Sequence, residues 1–412
     1  MLLFCRFTKP IIRNYNYNDT KVFCKDGKGP QMSVFGVVCE CNPYHTGHGK
    51  LIKEAFERGA DRLVAVMSGD FVQRGEPAVI SKFDRAADLV DQGFSLVFEL
   101  PVRYSLSSSE RFAAASVGLL DALGAVDTLF FGSECGNIDL LKDIAVTVDD
   151  KETRARVSEL CAGGYSYPRA LSYAVGEICG RAAAEEMSRA NNILAIDYLR
   201  ALISCSSGMA VQTMKREEDG YSAHCVREKI RNHEDTEGYV TSGCAELIRR
   251  EDTFSAERWD AVAMAMLRQI SENDVRRIPD MSGGLESRFY KAAREAASLE
   301  EFYAAVNSKN FTLSRIRRAV ACAVCDIFGT APAIPPYARI LAIGTGGKEL
   351  LGDIAEKTAV PVSENIAKLS SASEDAALIA AEEMRATDIY NIIRKIPQPA
   401  GEDLSRRLTV RN

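Results

Sequence analysis

The chain has 412 residues, 46% of them hydrophobic and 26% charged, with a net charge of −6. Length leaves room for two or three domains, and no apolar run approaches the ~20 residues a membrane-spanning helix needs, so a soluble protein is expected. A surface coated in positive charge is excluded, but a local basic groove is not, because nucleic acid senses the distribution of charge and not its sum.

The first 31 residues are basic and rich in Asn and Tyr, without the long apolar core of a secretory signal. They are expected to be a disordered extension or a misassigned start. From Met32 the text alternates. "SVFGVVCE" predicts a buried strand, and "HGKLIKEAFERG" an amphipathic helix closed by Gly59. "DRLVAVMSG" and "FSLVFELP" predict strands two and three, separated by the helix "SKFDRAADLVDQG". "SSSERFAAASVGLLDALG" predicts a serine-capped helix, and "VDTLFFGSE" strand four. After four helical segments, "MAVQTMKRE" predicts a fifth strand returning to the sheet. Strands alternating with helices in this way predict an α/β fold, a Rossmann-like parallel sheet over residues 32–250. From 251 to 412 the periodicity is helical, and a mainly α-helical second domain is expected there.

The twelve cysteines are scattered; the one C-x-x-C, Cys322 and Cys325, lacks a second ligand pair and reads as core packing in a reducing cytoplasm. The chemistry concentrates elsewhere. "VVCECNPYHTGHGKL" follows strand one, where open parallel sheets bind ligands. Gly47 is expected to let the backbone turn tightly, and the new helix offers free N–H groups to an anion. His45 and His48, three residues apart, can each donate a hydrogen bond to phosphate oxygens as charge builds in a transition state. That H-x-G-H arrangement is a signature of nucleotidyl transfer, and the P-loop is absent.

Further motifs follow in a definite order: "MSGDFVQRGEPAVISKFDRA", "FELPVRYSLSSSERFA", "FFGSE", "NNILAIDYL" and "TMKRE". Together with the H-x-G-H segment they make the chain resemble the bacterial tRNA(Met) cytidine acetate ligase family from about Met32 into the helical region. The resemblance implies a cytoplasmic, ATP-dependent ligase. It would activate acetate as acetyl-adenylate with release of pyrophosphate, then acetylate the exocyclic amine of the wobble cytidine of elongator tRNA(Met). It implies ATP contacts at Val38, Glu40, Asn42, Pro43, His45, Gly47, His48 and Leu51, at Gly132, at Asn191 (with Asn192 as the other reading of the doublet) and at Arg216. His45 and His48 are the candidates for catalysis. Mg²⁺ is expected from the phosphate chemistry, although no carboxylate cluster marks its seat.

Relatives of this kind carry a second phosphate motif, S-A-T-x-I-R, after the fifth strand. "VTSGCAELIRR" is expected to hold its place, with Ser242 and Arg249 at altered spacing. Asp70, Gln73, Arg74 and Lys82 are candidates for the acetate pocket or for the RNA end of the site, or else belong to a solvated loop. In the helical half, Arg315, Arg317, Arg318, Tyr337, Arg339, Lys348, Arg406, Arg407 and Arg411 are candidates for RNA contact, with Arg315, Arg318 and Arg339 foremost. Two other readings stay open: a small-molecule nucleotidylyltransferase without RNA, and a nucleotide-binding homologue whose catalysis the altered motif has weakened.

Overall fold

The structure is a computed structural model and describes residues 32–217, 223–308 and 311–412. The expectation for residues 1–31 lies outside it. Among the described residues ten strands follow in chain order: β1 (Val34–Cys39), β2 (Arg62–Ser68), β3 (Phe71–Val72), β4 (Glu76–Pro77), β5 (Leu96–Leu100), β6 (Thr128–Ser133), β7 (Ala210–Lys215), β8 (Ala338–Ile343), β9 (Val362–Ser363) and β10 (Thr409–Val410). Eight of them form one sheet in the order β10-β8-β5-β2-β1-β6-β7, with β9 also on β8, while β3 and β4 make a separate hairpin.

The central run β5-β2-β1-β6-β7 is parallel. It answers to the buried apolar runs, since a parallel sheet covered on both faces shows little alternation. From β1 the chain winds outward through β2 to β5, then returns to the other side of β1 as β6. Strand order therefore reverses between β1 and β6, and a crevice opens beyond their carboxyl ends. On one face Phe35, Leu63 and Met67 pack with Ile52 and Ala55 of helix Thr46–Glu57 and Leu89 of helix Lys82–Asp91.

The second half is mainly helical, around Trp259, Phe289, Phe302, Val320 and Tyr390. It also supplies what its sequence did not announce. β8 joins the sheet antiparallel to β5, and β9 and β10 flank β8. Residue 250 is thus no break in the packing, and Ser33–Asn412 forms one compact unit. The hairpin turn at Gly75 binds the halves too. Its φ is +77°, and a Cβ there would lie 2.3 Å from the backbone nitrogen of Arg318, so only glycine allows this approach. Among the described residues no helix is long and apolar enough to cross a membrane.

Candidate active site at the strand-order reversal

β1 ends at Cys39, and the next residues are held in place before the helix begins. Arg85, 3% exposed, donates to the carbonyls of Glu40 (2.5 Å), Ser68 (3.1 Å), Ile80 (3.0 Å) and Gly69, clamping the ends of β1 and β2 together. The buried Asn42 accepts the Val79 N–H at Oδ1 (2.7 Å), and its carbonyl accepts from Arg227 (2.8 Å). Asn42 thus fixes the loop, and Pro43 follows through a cis peptide.

His45 is the N-cap of helix Thr46–Glu57. Its Nδ1 accepts the Gly47 N–H at 3.1 Å, and the Nδ1 of His48 accepts the His45 N–H at 3.1 Å. Histidines thereby play both parts of a reciprocal capping box. The consequence is chemical. A neutral imidazole that accepts at Nδ1 carries its proton on Nε2, so both rings are fixed as Nε2–H donors. Their centroids are 4.0 Å apart. Burial, then His45 and Arg216, push His48 well below the usual histidine range, so it is a neutral donor at pH 7. Gly47 does not turn the chain as expected: it is the second residue of the helix, without a positive φ, and contributes its N–H to His45.

Beyond these residues lies a cavity of about 820 Å³, lined by Val38, Glu40, Asn42, His45, His48, Leu51, Gly132, Asn191 and Arg216 among others. Nine of the expected ATP-contact residues are therefore brought together, while Pro43 and Gly47 shape its backbone. Gly132 is the last residue but one of β6, beside Arg216, and a Cβ there would meet the Arg216 Cγ at 3.1 Å. The asparagine doublet divides. Asn192 is fully buried and accepts the N–H groups of Glu134 (2.9 Å) and Cys135 (3.2 Å), holding the loop after β6. Asn191 lines the cavity and donates to the Glu134 carboxylate at 2.7 Å.

The second phosphate motif needs correction. Ser242 and Arg249 lie on helix Ser242–Arg249, which packs against helix Lys82–Asp91 outside the cavity, and Arg249 pairs with Glu246 of its own helix. The pattern S-A-T-x-I-R fits better at "SAHCVR", residues 222–227, with His224 in place of threonine and Val226 in place of isoleucine. Helix Ala223–Arg231 brings His224, Arg227 and Arg231 to the cavity wall. Arg227 is the functional candidate that the sequence reading missed, and the Ser-Ala start with arginine five residues on was the available signal.

The four polar candidates after β2 separate into two pairs. Gln73 and Arg74 line the cavity, and the Gln73 N–H reaches the Glu40 carboxylate at 2.7 Å. Asp70 and Lys82 point into the core instead: Asp70 accepts the Lys82 N–H (2.8 Å) and the Thr387 hydroxyl (3.1 Å). Arg339 is corrected outright as an RNA contact. It is 3% exposed and paired with Glu99 at 3.1 Å and with Asp403. Tyr337 is fully buried. Arg315 is tied to the Asp280 carbonyl (3.1 Å) and the Ser282 hydroxyl (2.9 Å), Arg318 donates to the Gln73 carbonyl (3.4 Å), and Arg317 lines the cavity paired with Glu76. Arg406 and Arg411 pair with Asp84 (2.8 Å) and Asp91 (2.7 Å), and Lys348 donates to Asn412 (3.3 Å).

A strand-order crevice holding two Nε2–H imidazole donors at a helix N-terminus, with arginines lining the same cavity, defines a nucleotidyl transferase of the H-x-G-H kind. The family model described as HIGH Nucleotidyl Transferase matches residues 32–403. A tRNA(Met) cytidine acetate ligase of Fervidobacterium nodosum is 33% identical, the alignment covering 92% of this chain and 99% of the relative. One from a Thermoanaerobacter species is 32% identical over 90% and 98%. The crystal structure of Thermotoga maritima TmcAL bound with alpha-thio ATP superposes with a TM-score of 0.85 at 30% identity, covering 92% of this chain and all of that one. The chain belongs to the tRNA(Met) cytidine acetate ligase family of HIGH nucleotidyl transferases.

Proposed function

We propose that this protein uses ATP to activate acetate as acetyl-adenylate and then acetylates the exocyclic amine of the wobble cytidine of elongator tRNA(Met), in the cytoplasm. The carrying observation is the capping box, which turns the Nδ1 atoms of His45 and His48 to the backbone and so sets both rings at the cavity in the Nε2–H form that can donate to phosphate oxygens. An acetate oxygen attacks the α-phosphorus, and pyrophosphate leaves with the electrons of the broken P–O bond. The histidine donors, Arg216 and Arg227 stabilise the charge that builds on phosphate oxygens, and they do so best where water is excluded. Two kinds of stabilising group are combined: neutral imidazole N–H donors, and arginines that neutralise the leaving group.

No group of three or more His, Cys, Asp or Glu among the described residues could hold a metal ion. A magnesium ion is therefore expected on the triphosphate itself, as is usual for this hard and strongly hydrated cation. The segment 251–412 is proposed to hold the tRNA, with Arg317 at the cavity wall as its leading contact. The weakened-homologue reading loses its basis, because "SAHCVR" supplies an arginine to the site.

Acetate-dependent pyrophosphate release from ATP tests the reading. His48→Ala should lower it ~10²–10³-fold, the typical cost of one lost oxyanion donor. Background release by both proteins would overturn it.

A further inference from the structure

We propose that Glu40 accepts the proton that the cytidine amine loses when it attacks the acetyl-adenylate, an inference that rests on the ligase reading above. In that step a C–N bond forms and the acyl C–O bond to AMP breaks, its electron pair leaving on the AMP phosphate oxygen. The attacking nitrogen becomes cationic, and one proton must pass to a base within hydrogen-bond reach.

The cavity offers few groups able to take it. Neither His45 nor His48 can while its Nδ1 accepts a backbone N–H and its Nε2 carries hydrogen. Three carboxylates line the wall. Glu76 is paired with Arg317 and Glu228 with Arg231. Glu40 is in no ion pair of the described residues; the Gln73 N–H binds one oxygen at 2.7 Å, orienting the carboxylate and leaving the other oxygen for a substrate proton. Its place also suits the task, since it follows β1 directly at the crevice where strand order reverses.

The groups facing it come from four elements. These are Arg85 of helix Lys82–Asp91, Arg74 of the hairpin turn, Arg227 of helix Ala223–Arg231 and Tyr198 of helix Ala190–Cys205. Burial raises the Glu40 pKa above the usual carboxylate value, and the Gln73 N–H and the arginines hold that rise back. A carboxylate raised above its ordinary value is a better base than an exposed one. Tyr198 is pushed well above its ordinary range by burial and by Glu40, so it stays protonated.

The test separates the two half-reactions in the full-length protein. One assay follows acetate-dependent exchange of labelled pyrophosphate into ATP; the other follows transfer from supplied acetyl-adenylate to elongator tRNA(Met). Glu40→Gln should slow transfer ~10²–10⁴-fold, the usual contribution of a positioned base, and should slow it more than exchange, which reads out whatever part Glu40 takes in binding ATP. The wild-type transfer rate should rise with pH through the Glu40 pKa, the Glu40→Gln variant should lose that limb, and Glu40→Asp should restore part of the rate. Equal loss in both half-reactions, undiminished transfer, or loss on His224→Gln instead would overturn the assignment. A wild type without acetate-dependent exchange would overturn the ligase reading itself, and the inference with it.

Discussion

Two of the dense groups of ionisable side chains among the described residues differ in how their partners are used. In the cavity His45 and His48 each turn the Nδ1 atom to the backbone and carry hydrogen on Nε2. In the core Lys82, fully buried, meets Glu99 (2.6 Å), Glu383 (2.8 Å) and Asp403 (2.9 Å), and Arg339 joins Glu99 and Asp403. Burial pulls the Lys82 pKa down, but Asp403, Glu383 and Glu99 more than reverse this; Glu383 is pushed well up by burial and by Glu99. Two cations against three carboxylates are brought level when Glu383 keeps its proton. The first group is proposed to serve a ligand; the second ties β5, β8 and three helices into one unit.

Breaking the core group should have the largest effect on the fold. Lys82→Met leaves three carboxylates without their central cation, and loss of one partner of a buried ionic group costs ~3–5 kcal/mol. The midpoint of urea unfolding should fall accordingly, whereas His48→Ala should cost about 1 kcal/mol, the scale of a lost helix cap. Equal midpoints for the two variants would erase the distinction.

Acid should separate the regions by pH window. The folded-state pKa of His48 is depressed, so its contribution to stability is present above the unfolded value of about 6.5 and is lost as pH falls below it. Glu99 and Asp403 have pKa values lowered by Lys82 and Arg339 against the opposing effect of burial. Their contribution is present above the unfolded carboxylate values of about 4 and is lost only as pH falls through the lower folded ones. Unfolding free energy measured against pH should show a first decline below about 6.5 that His48→Gln removes, and a second below about 4 that it leaves. A single decline below pH 4 would contradict the His48 assignment.

The smallest effect is expected at the corrected motif. Arg249→Ala removes an exposed pair with Glu246, worth about 0.5 kcal/mol at most, and should leave pyrophosphate release unchanged. Arg227→Ala should lower release and is the contrast that sharpens the assignment.

The central strands and the crevice were legible because buried apolar runs, glycine stops and the H-x-G-H segment are local signals. β8 was not. "ARILAI" carries Arg339, and a charge inside a strand reads as a surface feature until Glu99 and Asp403 are seen beside it. Lys82 misled for the same reason, since two of its partners lie some 300 residues further along the chain. Gly47 in a helix and the split roles of Asn191 and Asn192 depend on backbone partners that spacing alone does not reveal. Arg227 went unnoticed because His224 interrupts the pattern that would have marked it.

The most direct measurement is mass spectrometry of elongator tRNA(Met) incubated with the protein, ATP and labelled acetate. The account predicts one labelled acetyl group on the wobble cytidine with the wild type, and labelling ~10²–10³-fold slower with His48→Ala. Unlabelled tRNA in the wild-type reaction would contradict it.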